Sequence, residues 1–223
     1  MTLQKSIQCA LAALAIGASG IASADVVTID FEGIADSTEV GDYYNGAAGG
    51  GTNYGVVFSA GSTALIDEDS GGNGDFANEP SQNTVMIFLG ANSAILNIAA
   101  GFTGGFSFFY SSSVETDVSV YDDVDGTGNL LGTIRLIAQG NDNCLGDPNG
   151  FFCNWTAAGV NFAGLAKSIN FGGAANQSGF DNITFGSAVP GCTTDCNTVP
   201  EPASLALVGA ALLGLGASRR RKL

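Results

Sequence analysis

The sequence predicts an all-β chain, a two-sheet antiparallel β-sandwich of jelly-roll type, and three observations carry that prediction. Short β-branched or aromatic runs recur between Gly, Asn and Asp punctuation. Several runs alternate apolar and polar residues, so one face of each strand is buried. Helix-type charge patterning is almost absent from the middle of the chain. One buried face per strand calls for two sheets packed face to face. The expected strands, in order, are residues 26–31, 55–59, 64–66, 84–89, 94–98, 106–110, 117–121, 130–138, 159–163, 168–171 and 180–185. Phe106, Phe108 and Tyr110 share one face of their strand, as do Val118 with Val120, Ile134 with Leu136, and Ile183 with Phe185. Eight to eleven strands suit a jelly roll better than a seven-stranded immunoglobulin sandwich. No internal repeat of 20–50 residues is visible.

The two ends differ from this middle. Residues 1–24 hold a single lysine (Lys5), an apolar stretch and then Ala22-Ser23-Ala24, the pattern of a secretory signal peptide cut before Asp25. The last residues hold Pro200, Glu201 and Pro202, an uncharged apolar run over 203–218, and the basic cluster Arg219, Arg220, Arg221 and Lys222. The expected organisation is therefore a signal peptide at 1–24, a β-sandwich at 25–189, a cysteine-containing linker at 190–198 and a C-terminal signal at 199–223. The apolar run would be a transmembrane helix about 24 Å long at roughly 1.5 Å per residue. A bilayer core wants about 20 residues, so this span is marginal. Basic residues after it would stay on the cytoplasmic side.

Between the two signals, residues 25–198 keep two basic residues, Arg135 and Lys167, against twenty acidic ones, a net charge of −18. Such a chain is a poor partner for nucleic acid or anionic lipid, whereas divalent cations and neutral polymers suit it. The chain has no histidine. Ser-His-Asp, Cys-His and histidine-zinc chemistry are thereby excluded. Its glycine runs lack the strand-to-helix context and the lysine of a phosphate loop. Paired-carboxylate glycoside hydrolysis stays open, but twenty acids single out no pair.

Cys9 leaves with the signal peptide, so Cys144, Cys153, Cys192 and Cys196 remain in an oxidising compartment and read as two disulfides. Of the three pairings, Cys144 with Cys153 and Cys192 with Cys196 close the shortest loops and are expected. A zinc site would want tighter CxxC spacing. Asp125-Gly126 is a turn signal that should join 118–121 to 131–137 as a hairpin. The surrounding acids match part of an EF-hand but fail at Tyr121 and at Gly132, where the closing Glu should stand. The loop over 67–79 is rich in acids and glycine, and could supply oxygen ligands or simply be solvated. The stretch over 141–155 carries Phe151, Phe152 and Trp155, the only tryptophan. On a stapled loop these faces can stack on sugar rings or cap the core.

The tail, with its Pro-Glu-Pro triplet, apolar run and basic end in fixed order, closely resembles the PEP-CTERM sorting signal of Gram-negative bacteria. That resemblance implies recognition and cleavage by an exosortase-type membrane protease. It also implies a transient inner-membrane anchor and a final location at the cell surface or outside the cell. A second resemblance rests on Thr28-Ile-Asp-Phe-Glu-Gly33, Gly179-Phe-Asp-Asn-Ile-Thr-Phe185, Val40-Gly-Asp-Tyr-Tyr-Asn-Gly46 and Tyr54-Gly-Val-Val-Phe-Ser59. These look like jelly-roll domains common in PEP-CTERM proteins and distantly similar to carbohydrate-binding modules. In those relatives the first and last strands lie side by side and often hold a structural Ca²⁺. By that resemblance Glu32 and Asp181, with Asp30, are the expected ligands.

The expected function is an exported, non-catalytic surface or matrix protein that associates with extracellular polysaccharide. The alternative is a polysaccharide hydrolase using paired carboxylates. A narrower one is ice binding or adhesion, since such tails occur on ice-adhesion proteins, but the flat, regularly spaced threonine arrays of that role are missing.

Overall fold

The computed structural model describes residues 26–89, 94–142, 150–173, 175–192 and 196. These form strands β1 (Val27–Ile29), β2 (Thr38–Glu39), β3 (Val56–Phe58), β4 (Ser62–Ile66), β5 (Thr84–Phe88), β6 (Ile95–Ser112), β7 (Thr116–Tyr121), β8 (Leu130–Leu136), β9 (Thr156–Asn170) and β10 (Ser178–Phe185), with a 3-10 turn at Glu68–Ser70. Every strand pairing is antiparallel. The described residues are all-β and sandwich-like, as the alternation predicts.

The two layers are not separate sheets. One hydrogen-bonded path runs β2-β4-β5-β10-β6-β9-β7-β8, with β1 on β10 and β3 on β6. The start of β6 pairs with β3 and the end of β9, whereas its later part pairs with β10 and the start of β9. β7 in turn pairs with the end of β9. Two long strands therefore pass from one layer to the other. The expectation of four short strands at 94–98, 106–110, 159–163 and 168–171 is corrected here. Gly101, Gly104 and Gly164 read as strand breakers, yet each adopts positive φ (75°, 94° and 104°) inside a continuous strand. The β6–β9 register shifts beside the first two, so they bend the pair as bulges instead of ending it.

Inward alternation then fills the space between layers. Phe106, Phe108 and Tyr110 are buried with Val118, Val120, Ile134, Leu136, Ile183 and Phe185. Phe108 meets Phe180 edge to face at 5.4 Å, and Phe171 lies 4.7 Å from Phe180. Ring pairs at these separations gain about 1 kcal/mol each beyond burial.

The β7–β8 hairpin forms in the expected register, Val118 opposite Ile134. Asp125 and Gly126 both take positive φ (58° and 68°), and the Thr127 amide donates to the Val124 carbonyl at 3.2 Å. That is a type I′ turn, whose twist matches the strands it joins.

β1 and β10 lie side by side, with Thr28 opposite Thr184. The Thr28 and Thr184 hydroxyls meet at 3.1 Å, and the Gly191 amide donates to Thr184 Oγ1 at 3.0 Å. Both ends of the domain thus leave from the same end of β10. Cys192 and Cys196 form a disulfide just beyond it. The signal region with Ala22 and Ala24, Cys144, and the tail with Pro200, Glu201, Pro202, Arg219, Arg220, Arg221 and Lys222 lie outside the described residues. Among the described residues no helix is long and apolar enough to cross a membrane.

Candidate functional site

At the end of β1 the chain turns sharply. Phe31 is fully buried with φ at 63°, a conformation that costs a bulky residue energy. Plugging the core with Phe31 turns Asp30 and Glu32 toward the loop that precedes β5. Asn182 on β10 also has positive φ (48°), beside a register shift between Asp181 and Thr184. Strain on both strands thus flanks one spot, and Ser81 sits at its centre.

Ser81 Oγ lies 2.9 Å from Asp181 Oδ1, 3.2 Å from the Asp30 carbonyl, 3.3 Å from Glu32 Oε1 and 3.4 Å from the Thr84 carbonyl. The Ser81 amide donates to Asp181 Oδ2 at 2.7 Å, and the Asn182 amide to Asp181 Oδ1 at 2.6 Å. Glu32 Oε1 accepts from the Asn83 and Thr84 amides at 2.9 Å each, and Oε2 from the Thr84 hydroxyl at 3.1 Å. Asp181 is completely buried. Desolvation is the main reason its carboxyl is pushed up to about 7, against the hydrogen bonds from Ser81 and Asn182, with the Glu32 charge adding to the rise.

A hydroxyl has one proton, yet four acceptor oxygens converge on this one. Hard oxygen donors drawn from two carboxylates and two carbonyls are what Ca²⁺ takes. Glu32, Asp181 and the carbonyls of Asp30 and Thr84 are the oxygens that a Ca²⁺ ion would use here, in the place Ser81 Oγ now occupies. Asp30 is placed differently from the expectation. Its carboxylate accepts from the Glu32 amide at 3.2 Å, so only its carbonyl faces the cluster. No group of three or more acidic, cysteine or histidine side chains placed to hold a metal occurs among the described residues. Ser81 and Thr84 carry no pattern in the sequence that marks them; only the fold brings them to the acids.

The aromatic residues build a second, smaller cluster on the other face of β5 and β10. Trp155 and Phe152 pack with Leu65 against buried Phe76, Val85 and Ile87. The indole N–H donates to the Ala77 carbonyl at 3.0 Å, and the ring meets Phe76 edge to face at 6.5 Å. Gly179 lies beneath it; a Cβ there would stand 3.2 Å from the indole. Phe151, 47% exposed, meets Phe152 edge to face at 5.0 Å. Of the three expected stacking residues, then, Trp155 and Phe152 mainly wall a core, and Phe151 presents its surface to solvent. The pocket beside them, about 20 Å³, has room for about one water. Cys153, next in the chain, is disulfide-bonded, and its amide donates to the Gly140 carbonyl at 2.8 Å.

The acids of the β7–β8 turn do not converge. Asp122 accepts from the Asn129 amide and side chain, Asp125 from the Asn97 side chain, and Asp123 stands 4.0 Å from Lys167. The EF-hand likeness is thus a hairpin turn. A larger opening, a cleft of about 470 Å³ between β8 and the start of β9, is lined by Tyr110, Arg135, Ile137 and Thr156 among others. No motif pointed to it; its signal is the uncharged run of β9.

Among solved structures, the chain is similar to a family 6 carbohydrate-binding module whose binding sub-sites were dissected by crystallography and calorimetry. The identity is 19%, over 57% of this chain and 82% of that one, at a TM-score of 0.36. It is similar to CsCBM6-3 from Clostridium stercorarium in complex with cellobiose (13% identity, 71% and 92% covered, TM-score 0.37). A third is a carbohydrate-binding module from Cellvibrio mixtus lichenase 5A in complex with cellotriose (14%, 56% and 86%, TM-score 0.34). No curated protein matches the chain. Residues 198–222 match the PEP-CTERM protein-sorting motif, so the chain carries that sorting signal at its C-terminal end.

Proposed function

We propose that this is an exported, non-catalytic surface or matrix protein that holds extracellular polysaccharide through the aromatic shelf at Phe151, with Ca²⁺ bracing the end of β1 against β10. The sorting motif at 198–222 carries the reading, because a signal of that kind implies export, and surface sorting is what it supports. The signal peptide at 1–24, the transmembrane span at about 203–218 and cleavage by an exosortase belong to the same proposal. So does the jelly-roll assignment of residues 25–189.

Placement supports it. Gly179 under Trp155 and Thr184 beside Gly191 are about 16 Å apart along β10 at roughly 3.3 Å per residue. The shelf therefore lies at the opposite end of β10 from Gly191, and a domain tethered through its C-terminal side would hold it away from the tether. A sugar ring is neutral, so the charge of −18 does not repel it. Phe151 offers a ring face, and the neighbouring Asp75 and Asn176 offer hydrogen-bond partners for hydroxyls.

The test is retention of the exported chain on the host's exopolysaccharide and on a glycan array. Phe151→Ala is expected to weaken retention about tenfold, the loss of a ring contact of about 1.4 kcal/mol. Its melting temperature should stay where it was, because Phe151 is exposed. Release of reducing ends, abolished by a single Asp or Glu→Ala change, would make the protein a hydrolase and overturn the reading. No retention on any glycan would overturn it equally.

A further inference from the structure

Most strand edges of this fold are protected. β2 is a two-residue strand ending in Glu39, and β1 and β3 have three residues each. β8 carries Arg135, paired with Glu115 at 2.6 Å and with Asp117 at 3.4 Å. Short length and charge are how sheets avoid pairing with other chains. β9 is the exception. Its residues 156–165 pair with β6 on one side, and no strand among the described residues pairs with the other side. That stretch, Thr-Ala-Ala-Gly-Val-Asn-Phe-Ala-Gly-Leu, has neither charge nor proline in a domain with twenty acids.

Its side chains are also arranged for company. The outward residues Ala157, Gly159, Asn161 and Ala163 are exposed and small, and only at Gly159 does other chain, the Ala188 carbonyl, come over the outer face. The inward residues Ala158, Val160 and Phe162 pack on the core yet remain only half-buried. Beside residues 156–159 the cleft toward β8 gives an added strand room, and further along β8 closes on β9 where Gly132 meets the Val160 side chain.

We infer that the free edge of β9 is a self-association surface, where a second copy of this chain pairs antiparallel to continue the sheet. A copy carries the same charge of −18 over residues 25–198, so it can approach closely only where both surfaces lack acids, and this edge meets itself neutral on both sides. The pairing that centres Val160 on its own twofold mate is self-complementary. Ala157 then faces Ala163 of the other copy, Gly159 faces Asn161, and the half-buried Ala158 and Phe162 cover each other. Each copy supplies what the other's inner face leaves open.

The experiment is sedimentation of the full chain, purified from the exported fraction, across concentration and ionic strength. The wild-type chain dimerises, and does so more tightly as salt screens the repulsion between the two acidic bodies. Ala157→Lys with Ala163→Lys sets lysines directly opposite at two symmetric places and weakens the dimer about tenfold or more. Ala157→Glu with Ala163→Lys sets opposite charges there and restores it. Both positions are exposed, so circular dichroism and melting should match the wild type in each variant. A wild-type chain that stays monomeric overturns the inference, including the case in which a polysaccharide or another protein occupies the edge instead. Equal dimerisation by the two double variants overturns it as well.

Discussion

The oxygens around Ser81 and the acids of the β7–β8 turn are both dense in carboxylate, but they behave oppositely. In the turn, each of Asp122, Asp123 and Asp125 is exposed or half-exposed and satisfied by a neighbour of its own. Around Ser81, two carboxylates and two carbonyls from three stretches of the chain, at Asp30 and Glu32, at Thr84 and at Asp181, share one hydroxyl, and one of the carboxylates is fully buried. The difference is convergence under burial. In the turn the acids are held apart in solvent; around Ser81 the carboxylates, each tied by its own amide donors, are also drawn to one shared hydroxyl, which is the arrangement the proposed cation would use.

The contrast can be broken most strongly at Glu32. Glu32→Ala leaves the Asn83 and Thr84 amides without their acceptor and is expected to cost about 3 kcal/mol in urea unfolding. Asp125→Asn, in the exposed turn, should move stability by less than about 0.5 kcal/mol. Similar losses from the two changes would erase the distinction. A second test comes from pH. Between about 4 and about 7 the folded chain holds a proton on Asp181 that the unfolded chain has released, because burial pushes that carboxyl up to about 7. In chelator, stability therefore falls as pH rises through that window and levels off above it. With Ca²⁺ present the ionised form is favoured, so the fall should vanish. Asp181→Asn should flatten the chelator profile, and a slope that survives this change would place the proton elsewhere.

Much of the fold was readable in advance because alternation is a local signal. Phe106, Phe108 and Tyr110, or Ile183 and Phe185, declare a buried face without help from the rest of the chain. The joining of the layers was not, since Gly101, Gly104 and Gly164 look the same in a sequence whether they end a strand or bend it. Glu32 and Asp181 were reached through the likeness of the first and last strands to known jelly rolls. Ser81 and the Asp30 carbonyl were not, because a serine in a loop and a main-chain oxygen acquire their role only once β1 lies against β10. Trp155 showed the converse limit: a lone tryptophan on a loop suggests a ligand platform, and here it chiefly walls a small core.

The most direct measurement is the melting temperature of the exported chain, stripped with EDTA and then titrated with Ca²⁺. A single stabilising ion in the Ser81 cage should raise the midpoint by about 10 °C, the stabilisation of about 3 kcal/mol that an ion at a hundred times its dissociation constant supplies to a domain of this size. Calorimetry should count one ion per chain, lost in Glu32→Ala and kept in Asp125→Asn. Identical midpoints with and without Ca²⁺ would contradict the cage as a metal site.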